Sequence, residues 1–208
     1  DPSISAQIMR MARSPLYAYQ GRLDTLSQAI NNVLGFETVC HLSLALAAGD
    51  EFKIPKDGAL GLNNYWNHSL HTALLMQRLA PDCLPGLRPG LAYLCGLLHN
   101  FGYLLMGHLF PAEFNALNRA AGRYPNVPIE RLERKLSQRF PTGAVFKAGH
   151  TGMGGWLLNH WNLPAEVVLA AGNHHEKTAL PPYLQLLQLS QSLLLNVGIS
   201  LDDPDCDW

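Results

Sequence analysis

Apolar residues recur at spacings of three and four along nearly the whole chain, and this periodicity restricts the fold more than any other feature. Side chains at these spacings lie on one face of an α-helix, whereas a half-buried strand requires alternation of apolar and polar residues. Alternating, β-branched segments are essentially absent from the sequence. We therefore predict an all-α fold in which each helix buries one apolar face.

Prolines and glycines that begin and end helices divide this pattern into separate elements. The segment 90–109 is apolar almost all round, which predicts one continuous, buried central helix. Residues 50–64 are rich in turn-forming residues and are expected to connect a smaller N-terminal helical subdomain to a larger one. The predicted subdomains are 1–49 and 65–196, with 197–208 as the tail. Helices are predicted near 1–14, 24–34, 37–48, 65–80, 90–109, 111–122, 128–138, 142–161, 165–175 and 182–196.

The composition excludes several classes of protein. Hydrophobic residues make up 48% and charged residues 15% of the 208 residues, which is typical of a globular chain. The net charge is -1 and no basic stripe is present, so we expect no nucleic-acid partner. The longest apolar runs fall well short of the ~20 residues that cross a bilayer, so we expect no membrane partner. Four cysteines without a CxxC pair favour a cytoplasmic protein.

The low share of charged residues predicts that part of the apolar surface meets a partner protein, a fused domain or a second copy of the chain. The chain opens with Asp1-Pro2-Ser3 and without an initiator methionine, as a piece excised from a longer protein would. The charge run 131–135, which contains Glu133, is expected to be a solvated helix face.

Five of the nine histidines occupy positions expected to face inward. They are His68, His99, His150, His174 and His175. A single buried histidine is usually a hydrogen-bonded core residue, but imidazoles converging from several helices are how helical bundles build metal sites. The set lacks a carboxylate, which is the ligand that a hydrolytic centre needs for hard cations and paired ions. Both a packed histidine core and a metal pocket stay open.

Several short motifs, taken in order, resemble those of the HDOD family within the HD superfamily. The resemblance runs from residue 1 to about residue 196 and implies a single HDOD domain over 1–208, built as an HD-like helical bundle. The similar segments are 1–17, 26–35, Trp66-Asn67-His68-Ser69, Gly96 to Gly102, His150 to Pro164 and His174-His175-Glu176.

The resemblance to the wider HD superfamily also implies a metal-ligand set, from which this chain departs at two positions. The implied histidine ligands are His68, His99, His150, His174 and His175. The superfamily has an acid directly after the second of these and another late in the chain, where this sequence has Asn100 and Gln191. Neutral amides hold hard cations weakly and cannot bridge two metals. We predict a ligand pocket of these seven residues, with a degenerate metal site and no catalytic residue.

These departures favour regulation over catalysis. HDOD domains are regarded as regulatory or scaffolding modules, so the resemblance implies a bacterial signal-transduction module that acts through protein–protein or interdomain contacts. One alternative is a metal-dependent phosphohydrolase of a nucleotide, cyclic dinucleotide or phosphate ester. Another is a sensor that binds a nucleotide or small ligand without cleaving it. No cofactor is expected, with a divalent transition metal such as zinc or nickel as the alternative, because imidazole suits these ions.

Overall fold

The computed structural model describes residues 2–14, 17–50, 52–83, 85–141, 143–178 and 180–201. Every regular element in this part of the chain is helical, which confirms the all-α prediction. The chain divides into two compact units, Asp1–Glu51 and Phe52–Trp208. The subdomain boundaries predicted from the sequence stay a prediction, and residues 202–208 of the predicted tail lie outside the described residues.

The smaller unit is a set of short helices packed on one another. Its elements are α1 (Pro2–Ala12), α2 (Leu26–Ala29), a π-helical turn (Ile30–Leu34) and α3 (Phe36–Asp50). α2 begins with a capping box, because the Thr25 hydroxyl accepts from the Gln28 N–H while the Gln28 side chain accepts from the Thr25 N–H. α1 packs against α2 and α3, and Ile8, Met11 and Leu42 are buried there.

The larger unit is a helical bundle. Its helices are α4 (Leu62–Cys83), α5 (Pro89–Leu98), α6 (Gly102–Leu109), α7 (Pro111–Arg123), α8 (Ile129–Ser137), α9 (Gly143–Phe146), α10 (Gly149–His160), α11 (Ala165–Asn173) and α12 (Pro182–Asn196). Proline stands in the first turn of α5, α7 and α12, where a backbone N–H has no helical partner and is not missed. α4 packs along α5 and α12, while α10 packs against α6 and α11. No described helix is long and apolar enough to cross a membrane.

α5 and α6 form the centre of this bundle. Tyr93, Leu97, Phe101 and Tyr103 have no exposed surface. An aromatic side chain buries about 150–250 Å², and at roughly 25 cal/mol per Å² each ring contributes several kcal/mol of hydrophobic free energy. This packing fixes the short segment between α5 and α6.

The prediction of one continuous helix over 90–109 is wrong. The chain turns at His99, Asn100 and Phe101 between α5 and α6. The Phe101 N–H donates to the Leu98 carbonyl and the Tyr103 N–H donates to the Asn100 carbonyl, which are tight turns of the 3₁₀ type. Because every residue around the turn is buried, the hydropathy pattern carries no sign of it.

The predicted helix over 142–161 is also divided, into α9 and α10. The second part begins at Gly149, whose φ of +66° lies in the left-handed region that favours glycine. The predicted helix over 165–175 ends at Asn173, so that His174 is its C-cap. These three corrections place His99, His150 and His174 at the ends of helices.

Candidate functional site

The five histidines singled out in the sequence come together within the larger unit. His68 lies within α4, His99 caps α5, His150 lies in the first turn of α10, and His174 and His175 follow α11. Ring centroids are 5.2 Å apart for His68 and His99, 5.2 Å for His99 and His174, and 5.1 Å for His150 and His174. The rings therefore form one connected cluster.

Three of these residues, His150, His174 and His175, form the tighter half of the cluster, which we call the histidine triad. The Nε2 atom of His150 lies 3.1 Å from Nε2 of His174 and 3.1 Å from Nε2 of His175. One ring nitrogen from each residue lies within 4.8 Å of the other two. His150 and His174 are buried and His175 is partly buried.

The other ring nitrogen, Nδ1, of each triad histidine faces an oxygen acceptor. The distances are 2.9 Å from His150 to Glu133 Oε1, 3.0 Å from His174 to the Ala170 carbonyl, and 3.3 Å from His175 to Glu130 Oε1. Carbonyl and carboxylate oxygens only accept hydrogen bonds, so in the neutral imidazoles each Nδ1 carries the proton and each Nε2 presents a lone pair. Proteins use this arrangement to orient a histidine toward a metal ion.

The converging lone pairs fit a transition-metal ion. Zinc binds imidazole nitrogen at about 2.0–2.1 Å, which separates tetrahedral ligands by roughly 3.3 Å. The 3.1 Å separations from His150 Nε2 are close to this value. Burial, followed by the neighbouring His175, His150 and His99, lowers the pKa of His174 well below its ordinary value. His174 is thereby kept neutral, which is the form that binds metal.

Glu133 is a buried partner of the histidine triad that the sequence analysis missed. The run 131–135 was expected to be a solvated face, but the Glu133 side chain is only 5% exposed. Its Oε1 atom accepts from the His150 backbone N–H at 3.0 Å and from His150 Nδ1 at 2.9 Å. A Cβ at Gly149 would lie 2.6 Å from the Glu133 carboxylate, so this glycine makes room for the double contact.

A signal for Glu133 exists in the sequence. The buried residues of α8 are Ile129, Leu132, Glu133 and Leu136, which follow the spacing of a single helical face. Glu133 is thus a charged residue inside an apolar stripe, and such a residue is buried only when it has a partner. Glu130, one turn earlier, is 39% exposed and faces His175.

The remaining two histidines form a pair that differs from the triad. His68 Nε2 lies 3.3 Å from His99 Nε2, and His99 Nδ1 lies 2.7 Å from the Gly96 carbonyl. The carbonyl requires a proton on His99 Nδ1, which leaves His99 Nε2 as an acceptor. His68 Nε2 therefore donates, and an N–H···N hydrogen bond joins the two rings.

The two predicted amide positions have different surroundings. Asn100 is fully buried, and both polar atoms of its side chain form no hydrogen bond within the described residues. Gln191 is half-buried on α12. Gln188, one turn earlier, donates to the His174 carbonyl at 3.1 Å. Tyr103 was not singled out from the sequence, and its ring stacks on that of His150 with centroids 4.1 Å apart and planes inclined by 11°.

Comparison with known proteins identifies the family. The model of the HDOD domain matches residues 1–177. The chain belongs to the HDOD domain family. This confirms the interpretation of the ordered motifs, and the HDOD fold of the solved relatives confirms the predicted helical bundle.

Two solved structures and one curated relative are similar to this HDOD chain. A Marinobacter aquaeolei VT8 protein named for signal transduction is 31% identical with a TM-score of 0.78, over 100% of this chain and 45% of its own. A Geobacter sulfurreducens HDOD domain protein with unknown function is 20% identical with a TM-score of 0.75. That match covers 100% of this chain and 67% of the Geobacter chain. An uncharacterized protein of Treponema pallidum (strain Nichols) is 24% identical over 181 residues. The chain spans 33% of that curated relative, and 87% of this chain is covered.

Proposed function

We propose that this HDOD chain is a regulatory module of a signal-transduction protein, and that its histidine cluster binds a divalent transition metal without hydrolysing phosphate esters. The signalling role is supported by the Marinobacter relative, which is 31% identical and is named for signal transduction. That relative is more than twice as long as this chain, which supports a fused domain or partner protein as the contact through which the module acts.

The metal part of the proposal is carried by one observation: the Nδ1 atoms of the triad face oxygen acceptors while the Nε2 atoms converge. A ligand set of imidazoles favours zinc, nickel or copper over magnesium, calcium or manganese. A bound ion of this kind would supply a Lewis acid. The chain's own contribution is to hold His150, His174 and His175 in one tautomer and orientation.

The regulatory part rests on the carboxylates. Glu133 and Glu130 lie against imidazole Nδ1 atoms, and the position after His99 is the neutral Asn100. A centre that hydrolyses phosphate esters with paired ions uses carboxylate oxygens to hold and bridge them. An amide oxygen bridges no ions, which favours a metal that stabilises or reports a conformation.

The test starts from untagged protein that has been stripped of metal with a chelator. Calorimetric titration and elemental analysis should detect binding of zinc and nickel, and no binding of magnesium. Because metal binds the native state, the thermal midpoint should rise, with a stabilisation of about 2.7 kcal/mol when free metal is a hundredfold above Kd. Failure of zinc and nickel to bind would overturn the metal part of the proposal.

The same loaded protein separates the alternatives. Turnover of bis-p-nitrophenyl phosphate that disappears in His99→Ala would replace the regulatory interpretation with the phosphohydrolase. A nucleotide that raises the thermal midpoint without being cleaved would favour the ligand sensor. Deletion of the module from its full-length protein should alter signalling, and unchanged signalling would overturn the regulatory role.

A further inference from the structure

We propose that the histidine cluster holds a single metal ion, on His150, His174 and His175, and that the hydrogen bond between His68 and His99 closes the other half to metal. The inference rests on the proposed metal-binding function and adds to it a stoichiometry and a ligand set. The family resemblance implies five histidine ligands, and the inference reduces this set to three.

The first step is the position of the protons in the triad. Each Nδ1 proton is directed outward, to Glu133, to the Ala170 carbonyl or to Glu130. None of these acceptors can donate a proton in return when the glutamates are ionised. The space between the three Nε2 atoms therefore contains three lone pairs at short range, and a cation placed there relieves their mutual repulsion.

The second step is the charge beside the triad. A divalent ion in a buried site is stabilised only when nearby groups compensate its charge. Glu133 is buried against His150, and Glu130 lies 3.3 Å from His175. These two carboxylates compensate a doubly charged ion through the imidazoles, without contacting it themselves.

The third step is the position of the proton in the pair. The Gly96 carbonyl fixes the His99 proton on Nδ1, and the 3.3 Å contact then requires the His68 proton on Nε2, between the rings. The only lone pair that faces the gap already accepts this hydrogen bond. A metal ion would have to displace the proton and reverse the tautomer of His68.

The fourth step is Asn100, which follows His99 directly. Its buried amide supplies no negative charge to draw a cation to the pair, and reversing the His68 tautomer would gain no carboxylate ligand. The pair is therefore more stable as a hydrogen-bonded unit than as a second metal site.

The experiment measures zinc per chain by elemental analysis after gel filtration. The unaltered protein is compared with His68→Gln and His174→Gln. The matched controls are His71→Gln on α4 and His160→Gln, whose imidazole is exposed on α10. We expect one zinc per chain in the unaltered protein, in His68→Gln and in both controls. His174→Gln should weaken zinc binding by about 100-fold or more, because loss of a supporting contact alone costs 10- to 100-fold.

The outcomes separate this inference from the proposed function. No zinc in the unaltered protein overturns both. Two zinc ions per chain, or loss of zinc in a folded His68→Gln variant, overturns the single-ion inference and leaves metal binding in place. Circular dichroism establishes whether each variant is folded.

A second measurement needs no variant. Long-range ¹H–¹⁵N NMR of the imidazoles in the zinc-loaded protein should find the His68 proton on Nε2. A His68 proton on Nδ1, with a metal-shifted Nε2 resonance, would overturn the inference even if every substitution unfolded the chain.

Discussion

The histidine triad and the His68–His99 pair use the same residue type in the same core, yet their ring protons lie on opposite sides: outside the cluster in the triad and between the rings in the pair. In the triad, every Nδ1 faces an acceptor outside the cluster, so the Nε2 lone pairs converge. In the pair, one proton lies between the rings. The number of imidazoles therefore does not define a metal site, because the acceptors behind them decide where the lone pairs point.

The backbone explains how His150 differs from His68. His150 lies in the first turn of α10, whereas His68 lies well inside α4. The first N–H groups of a helix have no helical partner, so the His150 N–H donates to Glu133 instead. One carboxylate thus fixes both the backbone and the ring of His150. A residue in the middle of a helix offers no such N–H.

The largest effect is expected on the stability of the triad half of the cluster, from the substitution Gly102→Ala. The added methyl group would push α6 away from α10, the helix that carries His150. A Cβ at Gly102 would overlap the His150 carbonyl oxygen and lie 2.8 Å from the Gly154 nitrogen. Because both are backbone atoms, we expect the free energy of unfolding to fall by roughly 3 kcal/mol or more. Urea unfolding measures this change.

Gly122→Ala is the control for that substitution. A Cβ at Gly122 in α7 would meet only the Ala59 side chain, at 3.9 Å. Alanine is favoured over glycine within a helix, so stability should stay the same or rise by up to about 1 kcal/mol. Equal losses of stability in the two variants would contradict the close approach of α6 and α10.

A smaller effect, on zinc affinity, is expected from removal of the carboxylates that accept from the Nδ1 atoms of the triad. Glu133→Ala should weaken zinc binding by about 10- to 100-fold, because His150 loses the partner that holds its tautomer. Glu130→Ala should cost less, since the Glu130 side chain is 39% exposed and its contact is 3.3 Å long. Competition titration with a zinc-binding dye measures both affinities.

Glu133→Gln distinguishes orientation from simple packing. The glutamine oxygen can still accept from the His150 N–H and Nδ1, so this variant should recover part of the affinity that Glu133→Ala loses. A Glu130→Ala variant that binds zinc more weakly than Glu133→Ala would show that the buried carboxylate is not the main support of the triad.

Much of the fold follows from the sequence, because the spacing of apolar residues predicts amphipathic helices. The position of His68 on an inward face followed from the same spacing, whereas that of His150 followed from the small residues around it. The spacing did not predict the turn at His99 and Asn100, because the residues on both sides of this turn between α5 and α6 are buried. Periodicity detects a boundary between polar and apolar faces, and this turn has no polar face.

The carboxylates of the site were missed for a different reason. The charge run 131–135 contains four charged residues, of which only Glu133 is buried, and composition alone does not separate it from the three that are exposed. Glu133 is distinguished only by its place beside Leu132 in the apolar stripe of α8. Its partner, His150, lies 17 residues away, so that pairing depends on tertiary packing.

The smallest effect is expected from a change of pH on the stability of the metal-free protein. Burial lowers the pKa of His174, while a histidine in the unfolded chain takes up its proton near pH 6.5. Below that pH the unfolded state binds more protons than the native state, so stability should fall as pH falls, by roughly 1 kcal/mol per pH unit. Well above pH 6.5 both states are neutral at His174, and this residue adds no pH dependence.

Urea unfolding at a series of pH values from about 5 to 8 measures this slope. His174→Gln should flatten it, because the variant has no imidazole from which burial must exclude a proton. His160→Gln removes an exposed imidazole on α10 and should leave the slope unchanged. If His174→Gln keeps the full slope, the proton is excluded elsewhere in the core, and the neutral state of the triad would need a cause other than the burial of His174.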